Sequence, residues 1–238
     1  AAGQRAARAA GMRIGLYLDL AVGAAPDGSA TWSAPELTIP TARIGAPPDL
    51  FSVTGQDWGL APISPPTLRL RDLEPFREIL SDAMAPAGAL RIDHAMALHR
   101  LWLIPEGETA GTGAYVLMPM EGLLRVLAEL SARHRCVLVG EDLGLVPEGF
   151  REAMRAAELQ SYRIAYFEKE DGRFRAPSTW PRAALACLST PDLAPLAGWW
   201  KGVEIDARLA LGMIDADKAA AERADRAADR EGLLAALV

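Results

Sequence analysis

GALRIDH, residues 88–94, is a short apolar run that ends on a carboxylate, Asp93. Two later stretches repeat the pattern: CVLVGEDLG (136–144) runs into Glu141, and LACLSTPD (185–192) runs into Asp192. Strands of a parallel β/α protein are buried on both faces, so they read as nearly continuous apolar runs. Their C-terminal ends open onto the face that carries catalytic groups. The intervals from 93 to 141 and from 141 to 192 each leave room for a helix and its loops. The pattern predicts an α/β enzyme that acts on a polar substrate by acid–base chemistry.

Working outward, MRIGLYLDL (12–20) alternates, with Arg13, Gly15, Tyr17 and Asp19 on one face and Ile14, Leu16, Leu18 and Leu20 on the other, which predicts a strand. AAGQRAARAAG, before it, predicts a helix closed by a glycine cap. Residues 24–68 are rich in Pro, Gly and Ser and predict an irregular insertion. The two prolines of GAPPDLFSVTGQDWG (45–59), with Phe51 and Trp58, favour an ordered substrate loop. Helical spacing predicts helices over 70–85, 120–135 and 146–159, and one or two Ala-rich helices over 205–238. ALRIDHA, CVLVG, SYRIAYF and ALACLST predict further strands. The five strands alternate with helices, which predicts parallel pairing through helical crossovers. A closed (β/α)8 barrel needs eight strands, whereas a doubly wound sheet manages with five, and periodicity does not choose between them.

Half of the 238 residues are hydrophobic and 24% are charged, the balance of a globular protein with one large domain or two small ones. The net charge is −6 with no basic stripe, which argues against nucleic-acid binding. No apolar stretch approaches the roughly 18 residues of a membrane span. The two thiols, Cys136 and Cys187, fall in predicted strands and read as small hydrophobes, so a disulfide framework or zinc site is not expected and a reducing cytoplasm fits. The sequence opens on Ala1 rather than Met and is expected to begin partway through a larger protein.

Arg91 and Asp93 are two apart in a strand, so their side chains leave one face, and a guanidinium there keeps the carboxylate ionised. A structural ion pair at a strand end reads equally well from these two residues. Glu141, at the end of an apolar strand, is placed to have the raised pKa of a general acid. Glu141 or Asp142 also reads as an N-cap for the following helix. Pro191-Asp192-Leu193 alone reads as a turn or helix start.

RIDHAM (91–96) with RLWLIPEG (100–107), HRCVLVGEDLG (134–144), SYRIAYFE (161–168) and STPDLAPLAGWW (189–200), preceded by IGLYLDLAVG (14–23) and GAPPDLFSVTGQDWG, resemble in this order the bacterial 4-α-glucanotransferases, or amylomaltases. The resemblance runs from about residue 3 to the C-terminus. It implies part of an α-amylase-type (β/α)8 TIM barrel over residues 1–238, lacking the first two strands and the last. It also implies a retaining double displacement that moves α-1,4-glucan segments between maltooligosaccharides. By that resemblance Asp93 is the nucleophile, Glu141 the acid/base and Asp192 the transition-state stabiliser, with Arg91 beside the nucleophile. Trp58 would cover sugar rings with its apolar face, and Asp49, Gln56, Tyr17 and Asp19 are further candidates for glucose contacts. His94 is expected to support the strand end rather than move protons. No metal or organic cofactor is implied.

The sequence departs from the family where Thr190-Pro191-Asp192 stands in place of Thr-His-Asp. Proline offers no donor to a sugar, a loss worth roughly 10²–10³ in rate. A barrel that lacks strands leaves open edges, so this isolated piece is expected to be weakly active or inactive. An α-glucan hydrolase, or an inactive α-glucan-binding remnant, is the alternative.

Overall fold

The computed structural model describes residues 2–49 and 52–237, which form two compact units, Ala1–Ser161 and Tyr162–Val238. The first unit opens with helix α1 (Ala2–Ala9), closed by Gly11 at φ +88° as its glycine predicts. A three-stranded parallel sheet follows, built from β1 (Tyr17–Leu20), β4 (Ala89–Ile92) and β7 (Val137–Gly140) in the order β1-β4-β7. Asp19 sits beside Arg91, and Arg91 beside Val139. Leu20, Ile92 and Gly140 therefore end the three strands in one row, and a parallel bridge from Val139 to Gln160 continues the order.

The sheet is held by a core of leucines. Leu90, Ile92 and Leu138 pack with Leu80 and Met84 of α4 (Glu74–Met84), with Leu123, Leu127 and Leu130 of α5 (Met120–His134), and with Phe150 and Met154 of α6 (Phe150–Ala156). The apolar face predicted for α5, Leu123, Leu124, Leu127 and Leu130, is buried, whereas on α4 Leu80 is buried and Ile79 is exposed. Each buried leucine contributes about 1.5–3 kcal/mol, so this core fixes the strand order that the site depends on.

Several expectations are corrected. The strand predicted over 12–20 begins only at Tyr17, because Gly15 at φ +84° turns the chain before it. Residues 24–68 are not one irregular loop. They contain a short helix α2 (Ser29–Ser33) and two strands, β2 (Ala42–Ala46) and β3 (Gln56–Leu60). These join β5 (Arg100–Pro105) and β6 (Ala114–Leu117) in an antiparallel sheet of order β3-β2-β5-β6. The pairing is not legible in the sequence because β2 takes β5 as a partner far along the chain, with Ala42 opposite Pro105. The helix expected over 70–85 is two helices, α3 (Pro65–Leu70) and α4, divided by left-handed residues Asp72 and Leu73. The helix expected from 146 starts at Phe150, after Gly149 at φ +75°. Phe51 lies outside the described residues.

The second unit contains β8 (Ser161–Ile164), which begins at the boundary and pairs with β11 (Ala184–Cys187). A small hairpin, β9 (Lys169–Glu170) and β10 (Arg173–Phe174), lies between them in sequence. Three helices follow, α7 (Leu196–Lys201), α8 (Val203–Ala210) and α9 (Ala216–Leu237). Trp199 anchors this unit: the Tyr166 ring stacks on it at 4.3 Å and 9°, and the Arg226 guanidinium of α9 lies 4.4 Å from the indole centroid. Trp199 is thus a packing residue. Among the described residues no helix is long and apolar enough to cross a membrane.

Candidate active site

Asp93 and Glu141 are each the first residue beyond a strand end that the parallel register brings level. Backbone bonds continue the ladder past the strands: the Asp93 N–H donates to Leu20 O at 3.0 Å, and the Glu141 N–H donates to Ile92 O at 3.0 Å. Both carboxyls therefore rise from the C-terminal edge of neighbouring strands.

Arg91, buried in the strand below, organises the charge. Its Nη1 donates to both Asp19 oxygens at 2.8 Å, and its Nη2 to Asp93 Oδ1 at 2.7 Å. One guanidinium thus ties a carboxylate on β1 to a carboxylate on β4. Burial disfavours the charge of Arg91, but the bonds it donates to Asp19 and the fields of Asp93, Asp19 and Glu141 outweigh it, and its pKa is raised. The shared-face expectation for Arg91 and Asp93 holds, and Asp19 joins them.

Glu141 has the opposite character. Burial is the largest influence on its carboxyl and pushes the pKa up, and the charge of Asp93 adds to this. The N–H groups of Leu143 and His94 and the charge of Arg91 pull it down, and the net direction is upward. Leu143 N donates to Oε1 at 3.0 Å and His94 N to Oε2 at 2.9 Å. An ion-paired carboxylate thus stands beside a carboxyl inclined to hold its proton, the pairing that acid–base chemistry on a polar bond requires.

Asp142, by contrast, is fully buried and structural. Its Oδ2 accepts from Arg151 Nε at 2.7 Å and from Ser161 Oγ at 2.6 Å. It does not cap α6, whose N-cap is Gly149. Burial pushes the Cys136 thiol up to about 11, so it stays protonated and behaves as a small hydrophobe.

Trp58 lies on β3, where its Nε1 donates to Gln56 Oε1 at 2.9 Å. Its ring meets the His94 ring edge-on, with centroids 5.1 Å apart and planes at 75°. Asp49 is held in the turn before β3: its Oδ1 accepts from Ser52 N at 2.7 Å, and its own N–H donates to Ser52 O at 2.9 Å. Tyr17 shares the face of Asp19 but sits two residues nearer the base of β1. Asp192 belongs to the second unit, where it is exposed and its N–H donates to Thr190 Oγ1 at 3.1 Å. Among the described residues no group of three or more His, Cys, Asp or Glu side chains is placed to hold a metal.

The sequence reading missed the part played by the His94 backbone. His94 adopts the left-handed region at φ 44°, ψ 60°, which a histidine seldom occupies. Nothing in its neighbours signals this, because the turn depends on contacts made from β7 and β3.

The family model described as 4-alpha-glucanotransferase matches residues 1–237. The chain is 38% identical over 234 residues to the 4-alpha-glucanotransferase of Haemophilus influenzae, covering 98% of this chain and 34% of that protein. It is 36% identical over 249 residues to the 4-alpha-glucanotransferase of Mycobacterium tuberculosis, covering 99% and 34%. The crystal structure of amylomaltase from Corynebacterium glutamicum superposes with a TM-score of 0.93 at 32% identity, over 99% of this chain and 34% of that one. The chain thus spans about a third of the length of the curated relatives it matches.

Proposed function

From the premise that this chain belongs to the 4-alpha-glucanotransferase family, we propose that it carries the catalytic centre of a 4-α-glucanotransferase on part of a (β/α)8 barrel. The substrates are maltooligosaccharides and α-1,4-glucans. Asp93 attacks the anomeric carbon and forms a covalent glycosyl intermediate while Glu141 gives its proton to the leaving oxygen. Glu141 then takes the proton of the incoming 4-hydroxyl as the second sugar displaces Asp93. Asp192 steadies the sugar hydroxyls in the transition state, and Trp58, Gln56, Asp49, Tyr17 and Asp19 contact the chain.

The observation that carries this reading is the Arg91-paired carboxylate of Asp93 beside the burial-raised carboxyl of Glu141. A retaining enzyme needs these two roles on carboxyls about 5–5.5 Å apart. Incubation of the purified chain with maltotriose tests it. A ladder of longer and shorter oligomers together with glucose supports transfer, and Pro191→His is expected to raise the rate by supplying the missing donor, by up to roughly 10²–10³-fold. Glucose and maltose alone would establish hydrolysis instead. Binding of maltotriose without turnover, in both the native chain and Pro191→His, would make the chain a glucan-binding remnant.

A further inference from the structure

We propose that His94 is a positioning residue for Glu141, and that it couples the β2–β3 hairpin to the acid/base carboxyl through Trp58. The proposal rests on the reading of Glu141 as the acid/base group but concerns how that group is held.

Three observations carry it. The first is the backbone of residues 94 and 95, which grips Glu141 twice: the His94 N–H donates to Oε2 at 2.9 Å, and the Ala95 N–H donates to the Glu141 carbonyl at 2.8 Å. Side chain and main chain of the opposing strand end are clasped by one turn. The second is that this turn requires a left-handed residue at 94, at φ 44°. A non-glycine residue there costs about 1–2 kcal/mol, so its neighbours must hold it in place. The third is the hold itself. The His94 ring packs edge-on against Trp58 at 5.1 Å, and Trp58 is fastened to Gln56 on the same strand at 2.9 Å.

Burial pushes the His94 imidazole down to about 4, so near neutrality the ring is uncharged and serves as an apolar wedge. That leaves Asp93 and Arg91 as the charged groups that bear on Glu141, with Asp19 acting through Arg91. A hairpin contact that steadies His94 therefore acts on Glu141 through the 94 N–H bond and not through charge. The GQDWG segment (55–59) gains a role beyond any contact with sugar, because moving Trp58 loosens the clasp on the acid/base group.

The test reads the ionisation of Glu141 directly and needs no turnover. The side-chain carboxyl of Glu141, identified by its loss in Glu141→Gln, is followed by carbon NMR across pH in the full chain. The clasp donates to the charged form, so losing it raises the pKa of Glu141 further. His94→Val, which resists the left-handed region, is expected to shift the titration upward by about one unit, a tenfold change in proton affinity. His94→Asn, which tolerates that region, is expected to stay near the native value. Trp58→Ala leaves β4 intact, so it reports even where His94→Val fails to fold, and its shift is expected to be upward and not additive with that of His94→Val. An unmoved Glu141 titration in Trp58→Ala overturns the coupling. Equal shifts in His94→Asn and His94→Val overturn the role of the left-handed turn. Failure of the maltotriose assay with these shifts present would reject the transferase reading and leave the clasp standing.

Discussion

At the scale of single residues, the centre is a contrast between two carboxyls of similar chemistry. Asp93 is held by a buried guanidinium at 2.7 Å, while burial raises Glu141 against the pull of two N–H donors and Arg91. That contrast has a consequence for stability. A carboxyl whose folded pKa is raised favours the folded state while protonated, below its unfolded value of about 4.3, and loses that favour as pH rises through the folded pKa. Glu141→Gln does not titrate, so its melting temperature relative to the native chain is expected to improve as pH rises from the unfolded value of about 4.3 through the raised folded pKa, and to level off above it. Thermal melts across that range check this, and a difference that stays constant with pH would refute it. On the proposed function the same substitution removes the acid/base group and is expected to cost about 10²–10⁴ in transfer rate. Asp93 and Glu141 were legible as candidates in the sequence because each stands where an apolar run ends, and both follow directly on a parallel strand. The left-handed backbone of His94 was not, since the groups that hold it, the Glu141 carboxylate and carbonyl and the Trp58 ring, lie far away in the chain.

At the scale of elements, parallel strands and crossover helices set the site, and an antiparallel hairpin covers part of it. β2 and β3 approach so closely that Gly45 has no room for a side chain: a Cβ there would lie 2.0 Å from the Gln56 carbonyl oxygen and 2.7 Å from Ile104 Cδ1. The register also shifts between Ile44 and Gly45, which bends the hairpin that bears Trp58. Gly45→Ala is therefore expected to destabilise the chain by about 1–3 kcal/mol and to change the near-ultraviolet circular dichroism of the tryptophans. Urea unfolding and the spectrum together check it, and a variant matching the native chain in both would show that the hairpin absorbs the methyl group freely. The helices of the first unit were legible because leucines spaced at helical periods, such as Leu123, Leu127 and Leu130, are the buried ones. The antiparallel sheet was not legible, because its central pair, β2 with β5, joins residues far apart in the chain, Ile44 with Leu103 for instance, and β3 and β6 are added on either side of that pair.

At the scale of the whole molecule, β1 has β4 as its strand partner, and among the described residues no strand pairs on its other side. The segment leading into it presents Met12 and Ile14 to solvent, each about half exposed. An open strand edge flanked by apolar side chains recruits other chains. Light scattering after gel filtration is expected to show a mass that rises above that of the monomer with concentration, and Ile14→Lys is expected to suppress the rise. A monomer at every concentration would mean that this edge is already satisfied. The sequence by itself determined the parallel strands and the main helices between them, and marked Asp93 and Glu141 as candidates at strand ends, because periodicity, apolar runs and turn residues act over a few neighbours. Tertiary structure alone decided that Asp93 and Glu141 stand side by side, that Asp19 shares Arg91 with Asp93, and that Trp58 reaches His94. Those outcomes depend on strand register and burial, and both come from residues far apart in the chain meeting in a medium of low dielectric.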